Sequence, residues 1–130
     1  MPAVYIDTSA LGRVLLGEPD APAILGELAH FEQHVASRLL AIELRRLALR
    51  YEQLDAASAL LGGVSLIPLS EAILLAAETV LPNDVATLDA IHLATALELA
   101  AGGMLDAVMT YDRRLAEGAR RHGLSVVAPT

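Results

Sequence analysis

The chain has 130 residues, is 55% hydrophobic and carries a formal net charge of −7; that is one domain of common size with enough apolar matter for a packed core, which excludes a disordered chain. Cysteine is absent, which excludes disulfides and thiolate metal sites; all nine basic residues are arginine, which excludes any chemistry that needs a lysine. The acidic balance is unlike the broad basic footprint of most nucleic-acid binders, no apolar run is long enough to span a bilayer, and no signal-peptide pattern opens the sequence, so a cytoplasmic location with no membrane partner is expected.

Short strands and helices alternate along the chain. Residues 3–7 read as an apolar, partly β-branched strand, and 9–16 and 20–30 as helices split by Gly17-Glu18-Pro19-Asp20. Residues 34–37 form a short predicted strand. Ser37 is the expected cap of a helix over 38–51, followed by a second helix to 61 that Gly62-Gly63 stops. Val64 to Pro68 reads as a strand and 71–80 as a helix before Pro82. Thr87 is the expected cap of a helix running to 101, which Gly102-Gly103 ends. Residues 105–110 read as a strand, 112–121 as a helix with Arg120 and Arg121 in its last turn, and 124–128 as a final strand. Such alternation predicts an α/β fold with a parallel sheet covered on both faces. Sites in these folds lie beyond the carboxyl ends of the strands, where Asp7 and Asp112 fall.

The carboxylates are the residues that a fold alone explains least. A lone acid in apolar surroundings is disfavoured unless it is protonated or paired. At about 100° per residue, Asp89 shares a helix face with Leu93, Ala96 and Ala100, while Ile91 and Leu97 are apolar on other faces. The helix should therefore be buried nearly all round, which makes dipole stabilisation a poor account of Asp89 and a functional role the better one. Asp7-Thr8-Ser9 has an equally good explanation as a helix cap, and Asp112 shares it. Glu43 lies at the edge of a stripe made by Leu40, Leu44, Leu47 and Tyr51, and a surface pair with Arg46 or Arg50 explains it by itself.

The histidines point elsewhere. His30 and His34 are spaced like two ligands on one helix, but the chain turns from helix to strand between them, and the Glu of the zinc-protease pattern is missing. His92 reads as a hydrogen-bonded core residue. There is no nucleophile elbow, no G-x-G-x-x-G and no phosphate loop.

Several distant acids make sense together if they converge on a metal ion. Val4-Tyr5-Ile6-Asp7-Thr8-Ser9-Ala10-Leu11, Glu43 in an arginine-rich helix, Thr87-Leu88-Asp89-Ala90-Ile91-His92-Leu93-Ala94-Thr95-Ala96 and Thr110-Tyr111-Asp112-Arg113-Arg114-Leu115, in that order, resemble the PIN-domain ribonucleases, and most closely the VapC-type toxins of bacterial toxin–antitoxin pairs. The resemblance covers the whole chain. It implies a single PIN-like domain over residues 1–130, a three-layer sandwich with a central parallel sheet of four to five strands between helices. It implies Asp7, Glu43, Asp89 and Asp112 as a catalytic, metal-binding quartet, with Thr8, Ser9 and Thr110 as supporting hydroxyls. The activity implied is Mg²⁺- or Mn²⁺-dependent hydrolysis of RNA, with a small antitoxin as partner. Arg45, Arg46, Arg50, Arg113 and Arg114 are candidate phosphate contacts, although solvated helix faces explain most of them. The abundant apolar positions of 20–30 and 38–61 suit a homodimer. Two other classes stay open: a PIN-fold binding module with little or no nuclease activity, and a small-molecule phosphohydrolase, against which the missing lysine already counts.

Overall fold

The computed structural model describes residues 2–130. Strands β1 (Ala3–Ile6), β2 (Gln33–Ser37), β3 (Ser65–Ile67), β4 (Ala107–Met109) and β5 (Val126–Val127) alternate with helices α1 (Thr8–Leu15), α2 (Ala21–Leu28), α3 (Arg38–Arg50), α4 (Leu54–Leu61), α5 (Glu71–Ala77), α6 (Thr87–Ala101) and α7 (Arg113–Arg121). The strands form one sheet in the order β3-β2-β1-β4-β5, with every pair parallel. The expected α/β sandwich is therefore found, with five strands.

Alternation along β1 builds the two faces. Val4 and Ile6 enter a core with Leu11, Leu15, Ile24, Leu40 and Leu44, which lie on α1, α2 and α3. Tyr5 enters the opposite core with Leu93, Leu115 and Ala119 of α6 and α7. Side chains on successive strand residues point to opposite faces, so one buried strand serves both layers. Gly118 brings α7 close to α6, since a Cβ there would stand 3.1 Å from Leu93 Cδ2. Among the described residues, no helix is long and apolar enough to cross a membrane.

The topology fixes where a site can form. From β1 the chain winds outward through β2 to β3, then returns by α5 and α6 to lay β4 on the other side of β1. The winding reverses between β1 and β4, and at such a reversal the connections leave in opposite directions and open a crevice beyond the strand ends. Asp7 follows β1 there, and Thr110, Tyr111 and Asp112 follow β4.

Helix starts agree with the sequence at three points and differ at one. Asp7 caps α1 by accepting from the Ala10 N–H, Ser37 caps α3 through the Leu39 N–H, and Asp112 caps α7 through the Leu115 N–H. The expected Thr87 cap is not formed. Ala86 holds the cap position, its carbonyl accepts from the Ala90 N–H, and Thr87 is already helical. The predicted strand over 105–110 shortens to Ala107–Met109, and at its start the Asp106 carboxylate accepts the Ala3 N–H.

Ser37→Ala should lower the unfolding free energy by about 1 kcal/mol, the usual contribution of a side-chain cap. Urea denaturation checks this, and an unchanged midpoint and slope would remove the cap from the account of α3.

Candidate active site

Asp7 is the most deeply placed acid, with 2% of its surface exposed. Its Oδ1 accepts from the Ser9 hydroxyl at 2.7 Å and the Ala10 N–H at 3.3 Å, and its Oδ2 accepts from the Thr110 hydroxyl at 2.7 Å. The Ser9 oxygen in turn accepts the Tyr111 N–H, and the Thr110 oxygen accepts the Asp112 N–H. One carboxylate thus ties the end of β1 to the segment after β4. Burial pushes the Asp7 carboxyl above its ordinary value; the bonds from Ser9, Thr110 and Ala10, and the nearby His92, offset only part of that. The cap occupies one Asp7 oxygen, and Thr110 holds the other.

Glu43 departs from its expected surface pairing. Its Oε1 accepts from the Thr8 hydroxyl at 2.6 Å and bonds His92 Nε2 at 2.7 Å. Among the described residues it forms no ion pair with Arg46 or Arg50. Burial pushes the Glu43 carboxyl up, but the bonds from His92 and Thr8 outweigh it, so its value lies below the ordinary one. His92 is buried, as expected of a core histidine. Its role as a partner of an acid was not visible in the sequence, although it stands three residues after Asp89 and so on the same side of α6. Tyr5, also unmarked by the sequence, bonds His92 Nδ1 through its hydroxyl at 2.6 Å. It precedes Asp7 by two residues and so shares its side of the strand.

Asp89 is less enclosed than the helical pattern predicts. Ala90 and His92 to Ala96 are buried, but Leu88 is half exposed and Asp89 only partly covered. The first turn of α6 is its less covered end, so the apolar surroundings apply to the middle of the helix. Even so, the Asp89 carboxyl is pushed up to about 6, first by desolvation and then by the charges of Asp112, Asp7 and Glu43, with His92 opposing. Asp89 is therefore the acid among the four whose carboxyl is raised by the other three. Asp112 gives one oxygen to the Leu115 N–H at 2.8 Å, as a cap does.

The arginines divide. Arg113 lines a cleft of about 500 Å³ with Thr110, Tyr111, Asp112 and Arg120. Arg46, Arg50 and Arg114 are exposed and Arg45 half-buried on helix surfaces. The histidine pair of the sequence separates: His30 pairs with Glu27 at 3.3 Å, and His34 donates to the Leu28 carbonyl at 2.7 Å.

The donor set suits a hard cation. Every candidate ligand is a carboxylate or hydroxyl oxygen, and such donors favour Mg²⁺ or Mn²⁺. The protein bonds to Glu43 fall on Oε1 and the cap bond of Asp112 on Oδ1, which leaves Oε2 and Oδ2 free for an ion or water. Among the described residues, no three acidic or histidine side chains stand close enough to enclose an ion by themselves.

Fold and site together define an α/β protein with an acidic, hydroxyl-lined centre at the reversal of a parallel sheet. The PIN domain family model matches residues 4–121. The chain is 36% identical over 133 residues to Ribonuclease VapC47 of Mycobacterium tuberculosis, spanning 97% of this chain and 96% of that one. It is 34% identical over 132 residues to Ribonuclease VapC46 of the same organism, with both chains fully covered at 100%. It belongs to the PIN-domain family, among the VapC ribonucleases. Its fold is similar to that of the crystal structure of Mycobacterium tuberculosis VapC20, a sarcin–ricin loop cleaving toxin, at a TM-score of 0.74 and 18% identity over 97% of this chain and 99% of that one. It is also similar to a chain of a toxin–antitoxin complex from Klebsiella pneumoniae, at a TM-score of 0.72 and 23% identity over 98% of each.

The raised Asp89 carboxyl sets a pH dependence. A group that holds its proton more tightly in the folded state stabilises the fold at low pH, and that contribution is lost as pH rises through the folded value, here about 6. Metal-free Asp89→Asn should therefore lose less melting temperature than wild type between about pH 4 and about pH 7. Thermal melts in chelator check this; parallel curves would show that Asp89 carries no such strain.

Proposed function

We propose that this chain is a metal-dependent endoribonuclease that hydrolyses RNA phosphodiester bonds, and that it is the toxin of a toxin–antitoxin pair. The observation that supports the reading best is the hydrogen-bond web around Asp7 and Glu43: Thr110, after β4, bonds Asp7, while Thr8, next to Asp7, and His92, one helical turn from Asp89, both bond Glu43. Relatives named ribonucleases match 97–100% of the chain, which supports the reading.

In this reading Asp7 and Asp89 would hold Mg²⁺ or Mn²⁺, Glu43 and Asp112 would complete the pocket, and the bound ion would offset the acids' charge against the phosphate and ease ionisation of the attacking water. The Ser9 and Thr110 hydroxyls keep both Asp7 oxygens hydrogen-bonded where little water reaches them. Thr8 does the same for Glu43. The free oxygens of Glu43 and Asp112 are acceptors for a proton leaving the nucleophilic water. Arg113, at the mouth of the adjoining cleft, offers a guanidinium to an RNA phosphate, with Arg45, Arg46, Arg50 and Arg114 as outer contacts.

The partners follow from the same reading. The substrate is cytoplasmic RNA, and residues 1–130 act as one catalytic unit. A small antitoxin would cover the site, with an arginine pairing with the acids in place of metal, since guanidinium matches carboxylate in bidentate contact. Leu25, Ile42, Leu49, Tyr51 and Leu54 leave apolar surface exposed on α2, along α3 and its C-cap, and on α4, which suits a homodimer.

Asp7→Asn and Asp89→Asn should each lower metal-dependent RNA cleavage by more than the ~10–100-fold typical of changes outside the ligand shell, with circular dichroism unchanged. The same contrast applies in cells: induced wild type should produce a discrete RNA cut and Asp7→Asn none. Full activity in either variant would remove that residue from the mechanism, and folded wild type that cuts no RNA with either metal would favour a binding module.

A further inference from the structure

A buried chain of hydrogen bonds runs from the sheet to Glu43 and has no part in the mechanism so far. It begins at the Ser37 N–H, which donates to the Tyr5 hydroxyl oxygen at 3.2 Å. Tyr5 is fully buried. The hydroxyl stands 2.6 Å from His92 Nδ1, and His92 Nε2 stands 2.7 Å from Glu43 Oε1. Nearby Thr95 donates its own proton to the Ile91 carbonyl.

These partners suit one arrangement of the imidazole. The Tyr5 oxygen can accept from Ser37 while its one proton goes to Nδ1, and a neutral His92 then accepts at Nδ1 and donates from Nε2 to the carboxylate. Two donors, His92 and Thr8, converge on Oε1 and fix the carboxylate plane, leaving Oε2 as the free oxygen. The contacts join β1, the start of α3, α6 and α1, so the orientation of Glu43 is set by four elements at once.

We propose that His92 is a positioning residue for Glu43, locked in its Nε2–H tautomer by the Tyr5 hydroxyl, and that the Tyr5–His92 pair determines how well Glu43 Oε2 serves an ion or water in the crevice. The proposal deepens the nuclease reading and rests on it for its effect on activity. It assigns work to two residues that carry no acid and touch no substrate. Partners outside the ligand shell that fix a ligand's orientation commonly change metal affinity or activity by about 10–100-fold.

The test has two arms. In metal-free wild type, ¹⁵N NMR of the imidazole should show Nε2 protonated and Nδ1 as a hydrogen-bonded acceptor, and Tyr5→Phe should alter the Nδ1 signal. Finding Nδ1 protonated, alone or together with Nε2, would overturn the proposal, whether or not the protein cuts RNA. In the second arm, Mn²⁺ affinity by calorimetry and kcat and KM on an RNA oligonucleotide are measured for His92→Leu, His92→Gln and Tyr5→Phe. His92→Leu keeps apolar bulk and loses both bonds; it should weaken Mn²⁺ binding and lower kcat by about 10–100-fold with little change in KM. His92→Gln, whose amide can still donate to Glu43, should recover most of that loss. Tyr5→Phe should fall between them and add nothing further in the His92→Gln background. Wild-type behaviour in folded His92→Leu, or Gln no better than Leu, would overturn the positioning role. Wild type that binds no Mn²⁺ would instead defeat the nuclease reading, and the tautomer would still decide the relay.

Discussion

The structure depends on holding the Asp7 carboxylate where almost no water reaches it. Removing a charge from water is costly unless hydrogen bonds replace the lost solvation. Here the replacements come from Ser9 and Ala10 at the start of α1 and from Thr110 after β4. These groups lie far apart in sequence and meet only if β1 and β4 are neighbours. Satisfying the one acid therefore requires the strand order that creates the crevice. The remaining upward shift of its carboxyl is the part of the desolvation that the bonds do not offset, and a cation would offset it.

The other acids differ because their surroundings differ. Glu43 has a histidine and a hydroxyl on one oxygen and is held below the ordinary carboxylate range. Asp89 has no such donors, faces three like charges and is held above it. Two acids with opposite shifts are suited to different work: Glu43 is held ionised and oriented, whereas Asp89 keeps its proton more tightly than usual. The hydrogen-bond partners, more than the acids themselves, divide the labour.

Much of this was legible in the sequence because it is periodic or local. The burial of β1 followed from Ala3-Val4-Tyr5-Ile6, the cap of α3 from Ser37, and the helix stops from the paired glycines at 62–63 and 102–103. The family resemblance is borne out over residues 4–121. What was hidden is long-range. Spacing on a helix reveals only neighbours three or four residues away, so Glu43 was matched to Arg46, while its real partners, Thr8 and His92, lie 35 and 49 residues distant. Helical periodicity also treats all turns alike, and so overstated the burial of Asp89, whose turn sits at the open end of α6. Nothing in the pattern indicates that Tyr5 would reach across to a histidine 87 residues away.

The central claim is that these acids form one divalent-metal site. It is tested most directly by anomalous diffraction from crystals grown with Mn²⁺. The account predicts an anomalous peak in the crevice between β1 and β4, about 2.0–2.2 Å from oxygens of Asp7 and Asp89, with Glu43 Oε2 or Asp112 Oδ2 reached directly or through water. A peak bound elsewhere with this crevice empty, or no peak at saturating Mn²⁺, would contradict it.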